Sequence, residues 1–184
     1  MKKLISWAII VAGIIIFIGC DTDNIDCLRP STKIISEVRP VSGFNSIIST
    51  VVGDISVTQD KDYSFQAEGP ENVIEALTLE LNNNVLLISS KECFTGNYLL
   101  TIDIHLPELQ SAHLAGVGGL KSMGTLQTDD FSLSMTGVGD IDIDIEADSL
   151  NIELVGTGTA NLGGIVRKKH LIRSGVVQFN RYSL

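Results

Sequence analysis

The sequence predicts an all-β protein built as a β-solenoid with rungs of about 20 residues. Two observations carry that reading. Short segments alternate apolar and polar residues, the period of a strand with one buried face, while helical periodicity is scarce. In the second half, Gly-containing segments align at Gly116, Gly137, Gly156 and Gly175, spaced 21, 19 and 19 residues apart. Ala112, Leu133, Ile152 and Leu171 stand four residues before each Gly, and Leu120, Ile141, Ala160 and Phe179 four after. Apolar residues at even offsets on both sides mean two strand segments hinged at a Gly. A repeat this short, with no helix between strands, has the length of one solenoid rung.

At the N-terminus, Lys2 and Lys3 precede an apolar run from Leu4 to Phe17 and the small Gly19, the order of a secretory signal peptide. The run is too short for a comfortable membrane-spanning helix. Phe17-Ile18-Gly19-Cys20 resembles the lipobox of bacterial lipoproteins. That resemblance implies a signal peptide over 1–19, acylation of Cys20 and a protein anchored by membrane lipid in the bacterial cell envelope, on a periplasmic or surface face. A plain cleaved signal with an incidental Cys is the alternative. Residues 20–33 are polar and acidic at their start, without a core pattern, and read as a flexible tether to a domain spanning 34–184. Cys27 and Cys93, in an extracytoplasmic compartment, invite a disulfide whose long loop would contribute roughly 4 kcal/mol. Otherwise they are two thiols too far apart to meet.

Within the domain, Asp54–Thr58, Tyr63–Ala67 and Thr101–Leu106 alternate as strands. Asn82-Asn83-Asn84 marks a turn between apolar runs at Leu77–Leu81 and Val85–Ile88, and one short helix fits Glu71–Leu77 after Pro70. The recurrent glycines, reinforced by Gly118, Gly139 and Gly158, suit either a corner needing positive φ or an interior too tight for a side chain. They do not make a phosphate-cradling loop. Lys121, Asp142 and Asn161 stand where the third Gly of that fingerprint belongs, and no strand-to-helix transition follows.

Arg39-Pro40-Val41-Ser42-Gly43-Phe44-Asn45-Ser46-Ile47, Gly53-Asp54-Ile55-Ser56-Val57, Glu68-Gly69-Pro70-Glu71-Asn72-Val73 and the repeated Gly-Val-Gly and Gly-Thr-Gly rungs resemble the head GIN domain family. Domains of this kind are also called auto-transporter adhesin heads and are common in envelope lipoproteins. The resemblance runs from about residue 37 to the C-terminus. It implies a right-handed, single-stranded parallel β-helix or a closely related β-roll, and its name suggests adhesion without establishing it. Arg173, Val177 and Gln178 to Tyr182 depart from the repeat, as the terminal cap of a solenoid does.

Asp140, Asp142, Asp144 and Glu146 alternate with Ile141, Ile143 and Ile145, so four carboxylates share one outward strand face. Neighbours on such a face lie roughly 6.6 Å apart. Two of them cannot clasp one Ca²⁺ without help from adjacent rungs. Lys121 and Asn161 flank Asp142 by the repeat, so a solvated, charge-paired ladder competes with a binding surface. His113, Ser134 and Glu153 share an outward offset, but Ser falls between His and the acid, the wrong order for a catalytic triad. No His or Cys spacing suits a metal, and no catalytic residue, metal or cofactor is expected. With Lys2 and Lys3 set aside, 22 acidic residues outnumber the remaining basic ones two to one, which argues against nucleic acid as a partner. Charge is also segregated: after Glu153 there is no acid, only Arg167, Lys168, Lys169, Arg173 and Arg181. That basic end is either a soluble cap or a surface for an anionic partner. The sequence points to a lipid-anchored module that binds a protein or glycan. A structural assembly subunit and a polysaccharide-active enzyme are the alternatives.

Overall fold

The computed structural model describes residues 27–182. The expected signal peptide, Cys20 and the tether as far as residue 26 lie outside the described residues. The strands are β1 (Ile34–Val38), β2 (Ser46–Ser49), β3 (Asp54–Gln59), β4 (Ser64–Pro70), β5 (Leu77–Asn82), β6 (Val85–Ser90), β7 (Thr101–Leu106), β8 (Ser111–Leu114), β9 (Leu120–Met135) and β10 (Ile141–Tyr182), with one helix, α1 (Glu71–Ala76), between β4 and β5. They form one all-β sheet curled into an open half-barrel. Its order is β1-β4-β7-β3-β9-β8-β2-β6-β5, and β10 pairs with β9.

Local chemistry explains the turns. Asn83 and Asn84 take left-handed φ values of 48° and 65°. These are the two central positions of a primed hairpin turn, which Asn tolerates, and they join β5 to β6 antiparallel. Pro70 opens α1 with φ fixed at -57°, and Val73, Ile74 and Ala76 bury its inner side. At the other end of α1, the Arg39 guanidinium donates to the carbonyl of Ile74, which also accepts the Leu77 N–H, and to that of Leu77 at the start of β5.

The pairing differs from a uniform solenoid in the first half of the domain. β1–β4, β4–β7 and β5–β6 are antiparallel. Only β5 and β6 are joined by a short reversal, which requires antiparallel pairing; β1–β4 and β4–β7 bring together strands that are distant in the chain. The second half follows the glycine repeat: β2, β8, β9 and β10 stack in parallel, with Ile47, Ala112, Leu133 and Ile152 opposite one another. A second parallel row sets Ile102, Ile55, Leu120 and Ile141 side by side. All eight residues are at most 2% exposed, so these rows are the core. Each fully buried aliphatic side chain of this size contributes roughly 1.5–3 kcal/mol.

The two rows meet at a backbone corner built from glycines. A Cβ on Gly137 would lie 1.8 Å from the carbonyl oxygen of Gly116, and one on Gly156 would lie 2.1 Å from that of Gly137. Two residues further on, Gly118, Gly139 and Gly158 meet the carbonyls of Gly53, Gly118 and Gly139 at 2.0, 1.8 and 1.8 Å. Close approach of successive rungs, rather than a shared positive φ, is therefore why Gly recurs.

The odd spacing of 21 has a local cause. Leu120 and Lys121 pair with Ile141 and Asp142 at an offset of 21, whereas Thr125 and Leu126 pair with Asp144 and Ile145 at 19. Met123 and Gly124 lie within the resulting bulge; Met123 is exposed and Gly124 has φ 115°. The Asp144 N–H donates to the buried Ser122 hydroxyl at 2.9 Å. A side chain satisfies the amide where the register shifts.

Gly137→Ala is expected to destabilise the domain by about 3 kcal/mol, because a methyl would overlap backbone that cannot yield without separating two rungs. Gly124→Ala meets no atom within 4 Å and suffers only its backbone conformation, about 1–2 kcal/mol. Denaturant midpoints of the two variants check the order; an equal or reversed loss would refute the close-approach account.

Candidate functional site

The acidic row lies where strand alternation places it. Asp142, Asp144, Glu146 and Asp148 are exposed on β10, while Ile141, Ile143, Ile145 and Ala147 between them are buried. Across the ladder Asp142 faces Lys121, Asp144 faces Thr125 and Glu146 faces Gln127. The Gln127 side-chain amide donates to Glu146 Oε2 at 3.4 Å. Asp140 has a different role. Its Oδ1 accepts the backbone N–H of Thr159 on the next rung at 2.8 Å, as Asp54 Oδ1 accepts that of Gly119 at 2.7 Å. Both acids follow the second corner glycine of their rung and help to join it to the rung beyond. Among the described residues, no group of three or more His, Cys, Asp or Glu is arranged to hold a metal ion.

In-order stacking of the repeats sets the basic end beside the acidic row, and an ion pair joins them. Arg167 Nη1 lies 3.1 Å from Asp148 Oδ1. Arg167, Ile165, Glu146 and Asp148 then share an open depression of about 600 Å³ with Gln127 and Asp129. Both partners of this ion pair are more than half exposed, so it adds under about 1 kcal/mol and leaves the groups available to a ligand. Lys168 and Lys169 are exposed on the same strand. His113 pairs with Ser134, and Ser134 with Glu153, in the order the glycine alignment predicts, with Ser in the middle.

A second concavity is largely apolar. Val51, Val52, Val73, Leu77, Phe94, Tyr98 and Leu100 line a cavity of about 270 Å³ beside Cys93. Cys93 is joined to Cys27 in a disulfide with Cα atoms 4.8 Å apart. Tyr98 sits edge-on to Phe94, and burial raises its pKa. Residues just after Cys27 are held to the domain. The Leu28 N–H donates to the Cys93 carbonyl, the Ser31 N–H donates to Asn72 Oδ1, and the Asn72 amide donates back to the Arg29 carbonyl.

One surface feature escaped the sequence reading. Val52, Val117 and Val138 pair as successive parallel bridges with their side chains about half exposed. The signal was present, since Val occupies the outward position between two glycines in consecutive repeats where a polar residue is otherwise expected.

Asp60 is a titratable group set by its surroundings: the Lys61 backbone N–H donates to it at 2.6 Å, and His105 Nδ1 lies 3.4 Å away. Both lower its pKa, the backbone N–H most. A carboxylate with a depressed folded pKa stabilises above its unfolded value, and that contribution disappears as pH falls through the folded value. NMR titration is expected to show Asp60 ionising below an ordinary Asp, with most of the depression surviving His105→Ala. Full reversion in that variant would assign the effect to the imidazole instead.

Residues 43–184 match the family described as "Putative auto-transporter adhesin, head GIN domain". Among solved structures, a "putative adhesin" from Bacteroides fragilis NCTC 9343 superposes with a TM-score of 0.63 at 20% identity, covering 84% of this chain and 100% of the other. A "Putative lipid binding protein" from Parabacteroides distasonis ATCC 8503 superposes with a TM-score of 0.59 at 18% identity, covering 77% and 75%. At such identities the likeness is one of fold. No curated protein matches in sequence. The family match spans well over half of the chain and includes the whole glycine repeat, so the chain belongs to the head GIN domain family.

Proposed function

We propose that this protein is a non-enzymatic, adhesin-like module of the bacterial cell envelope, anchored through an acylated Cys20 and binding a protein or glycan partner. The parallel rungs from β8 onward are read as turns of a right-handed parallel β-helix. The observation that carries the binding role is the exposed outer face of β10, where Asp142, Asp144 and Glu146 run along one flat strand and meet Arg167 in an open depression. A flat polar ladder with both signs of charge offers hydrogen bonds to hydroxyl-rich or peptide ligands, while its shallow form gives no closed pocket for chemistry. The adhesin names of the family and of the Bacteroides fragilis structure support this reading. Asp140 contributes to the same region by holding its rung, and Lys168 and Lys169 extend the basic side. A polysaccharide-active enzyme, which would need acid and base carboxyl groups facing each other across a groove, is disfavoured because Asp142, Asp144 and Glu146 run along one exposed strand face. An assembly role draws on Ile165, Ile172 and Val176, which are 66%, 47% and 74% exposed on the last stretch of β10.

The test is a binding screen of residues 27–184 against a glycan array and envelope fractions, at two salt levels and with and without Ca²⁺. Saturable binding that falls at least tenfold in Asp142→Asn/Asp144→Asn/Glu146→Gln, with unchanged circular dichroism, is the expected result. A folded domain that binds nothing but self-associates with concentration in size-exclusion chromatography would replace this reading with the assembly role.

A further inference from the structure

The ridge of Val52, Val117 and Val138 has the composition of a contact surface for an apolar medium. The three side chains are 44%, 49% and 52% exposed and stand over one another in parallel register. Gly53, Gly116, Gly118, Gly137 and Gly139 flank them, so no neighbouring side chain in those positions shields the valines from above. The nearest acids, Asp54 and Asp140, are exposed beside the ridge, and each turns one carboxylate oxygen away onto a backbone N–H, of Gly119 and Thr159 respectively.

Two further exposed apolar residues belong to segments that adjoin the ridge. Leu28, 44% exposed, pairs with Phe94, which lines the same cavity as Val52. Leu99, 66% exposed, adjoins Leu100, whose carbonyl accepts the Asp54 N–H beside the ridge. The N-terminal side of the domain begins at this place, since Cys27 is bridged to Cys93 on the wall of that cavity. Six residues separate Cys20 from Cys27, a span of seven residue steps. Even fully extended they reach only about 24 Å.

We infer that the corner ridge of Val52, Val117 and Val138, with Leu28 and Leu99 beside it, is the face the domain lays on the lipid surface carrying Cys20, its valines entering the boundary between headgroups and acyl chains. This rests on the proposed acylation of Cys20. A short tether leaves the ridge within reach of the bilayer, and apolar side chains at an interface gain by leaving water. The acidic outer face of β10 begins at the corner and runs away from it along the strand. In this orientation, its distal end at Glu146 and Asp148 points outward, free for a partner.

The only Trp in the sequence, Trp7, lies within the expected signal peptide, so an introduced Trp reports its own position in the mature chain. The experiment takes the full chain produced in a bacterial host as Val117→Trp, and separately as Ile165→Trp at the far end of a rung. Each variant is reconstituted into phosphatidylethanolamine and phosphatidylglycerol vesicles with or without brominated acyl chains. Acylation of Cys20 is read by mass spectrometry of the same samples. The expected result is at least twofold quenching and a blue shift for Val117→Trp, with no quenching for Ile165→Trp. Val138→Trp repeats the reading if Val117→Trp fails to fold. Equal quenching at both ends, quenching only at Ile165→Trp, or none in an acylated chain overturns the orientation while leaving the anchor intact. An unmodified Cys20 overturns the anchor, and the ridge assignment falls with it.

Discussion

Successive rungs of this domain touch through bare backbone. At the corner, the carbonyl oxygen of one rung occupies the space that a Cβ of the next would need, at Gly116, Gly137 and Gly156 and again at Gly118, Gly139 and Gly158. No packing rearrangement relieves such an overlap, because a carbonyl on a hydrogen-bonded ladder has nowhere to move. The contact sets the spacing at which Ile47, Ala112, Leu133 and Ile152 line up on one side and Ile102, Ile55, Leu120 and Ile141 on the other. It also leaves the residue between each pair of glycines projecting outward, which is how the valine ridge arises.

The two halves of the domain use the sheet differently. Antiparallel pairs and α1 occupy the start, where β1 and β5 are the end strands of the sheet order, and Arg39, just after β1, binds carbonyls in and just after the last turn of α1. The parallel rungs then extend the sheet toward a basic last stretch. Charge follows this division, with acids concentrated before Glu153 and none after it. The two meet in the depression where Arg167 pairs with Asp148 beside Glu146.

Much of this was legible in the sequence for a physical reason. Strand alternation and glycine recurrence are local, one-dimensional signals, so β3, β4 and β7, the helix after Pro70 and the parallel stacking of β8, β9 and β10 could be read directly. The Asn83-Asn84 turn was legible because few residues accept left-handed φ. What was hidden depends on which strand meets which. β4 beside β7, rather than beside its sequence neighbour β3, is decided by three-dimensional packing with no local signature. The acidic row was visible, but the capping role of Asp140 was not, since Asp140 and Asp142 look alike until the N–H of Thr159 is placed next to one of them. The pairing of Arg167 with Asp148 beside Glu146 follows the rung offset of 19, which the sequence shows, but which side chains then share one depression depends on the folded surface.

The bulge at Met123 and Gly124 carries a rule of inheritance for this architecture. Rungs of 21 and 19 residues differ by two, and two is the period with which a strand alternates its faces. A pair of residues can therefore be gained or lost at this point while every later Ile still points inward and every later Asp still points outward. A single inserted residue would turn the remainder of β9 inside out. Length variation among chains of this kind should accumulate in even steps at such bulges, so that an alignment containing odd gaps within a rung would mark a misplaced gap or a chain that has abandoned the repeat.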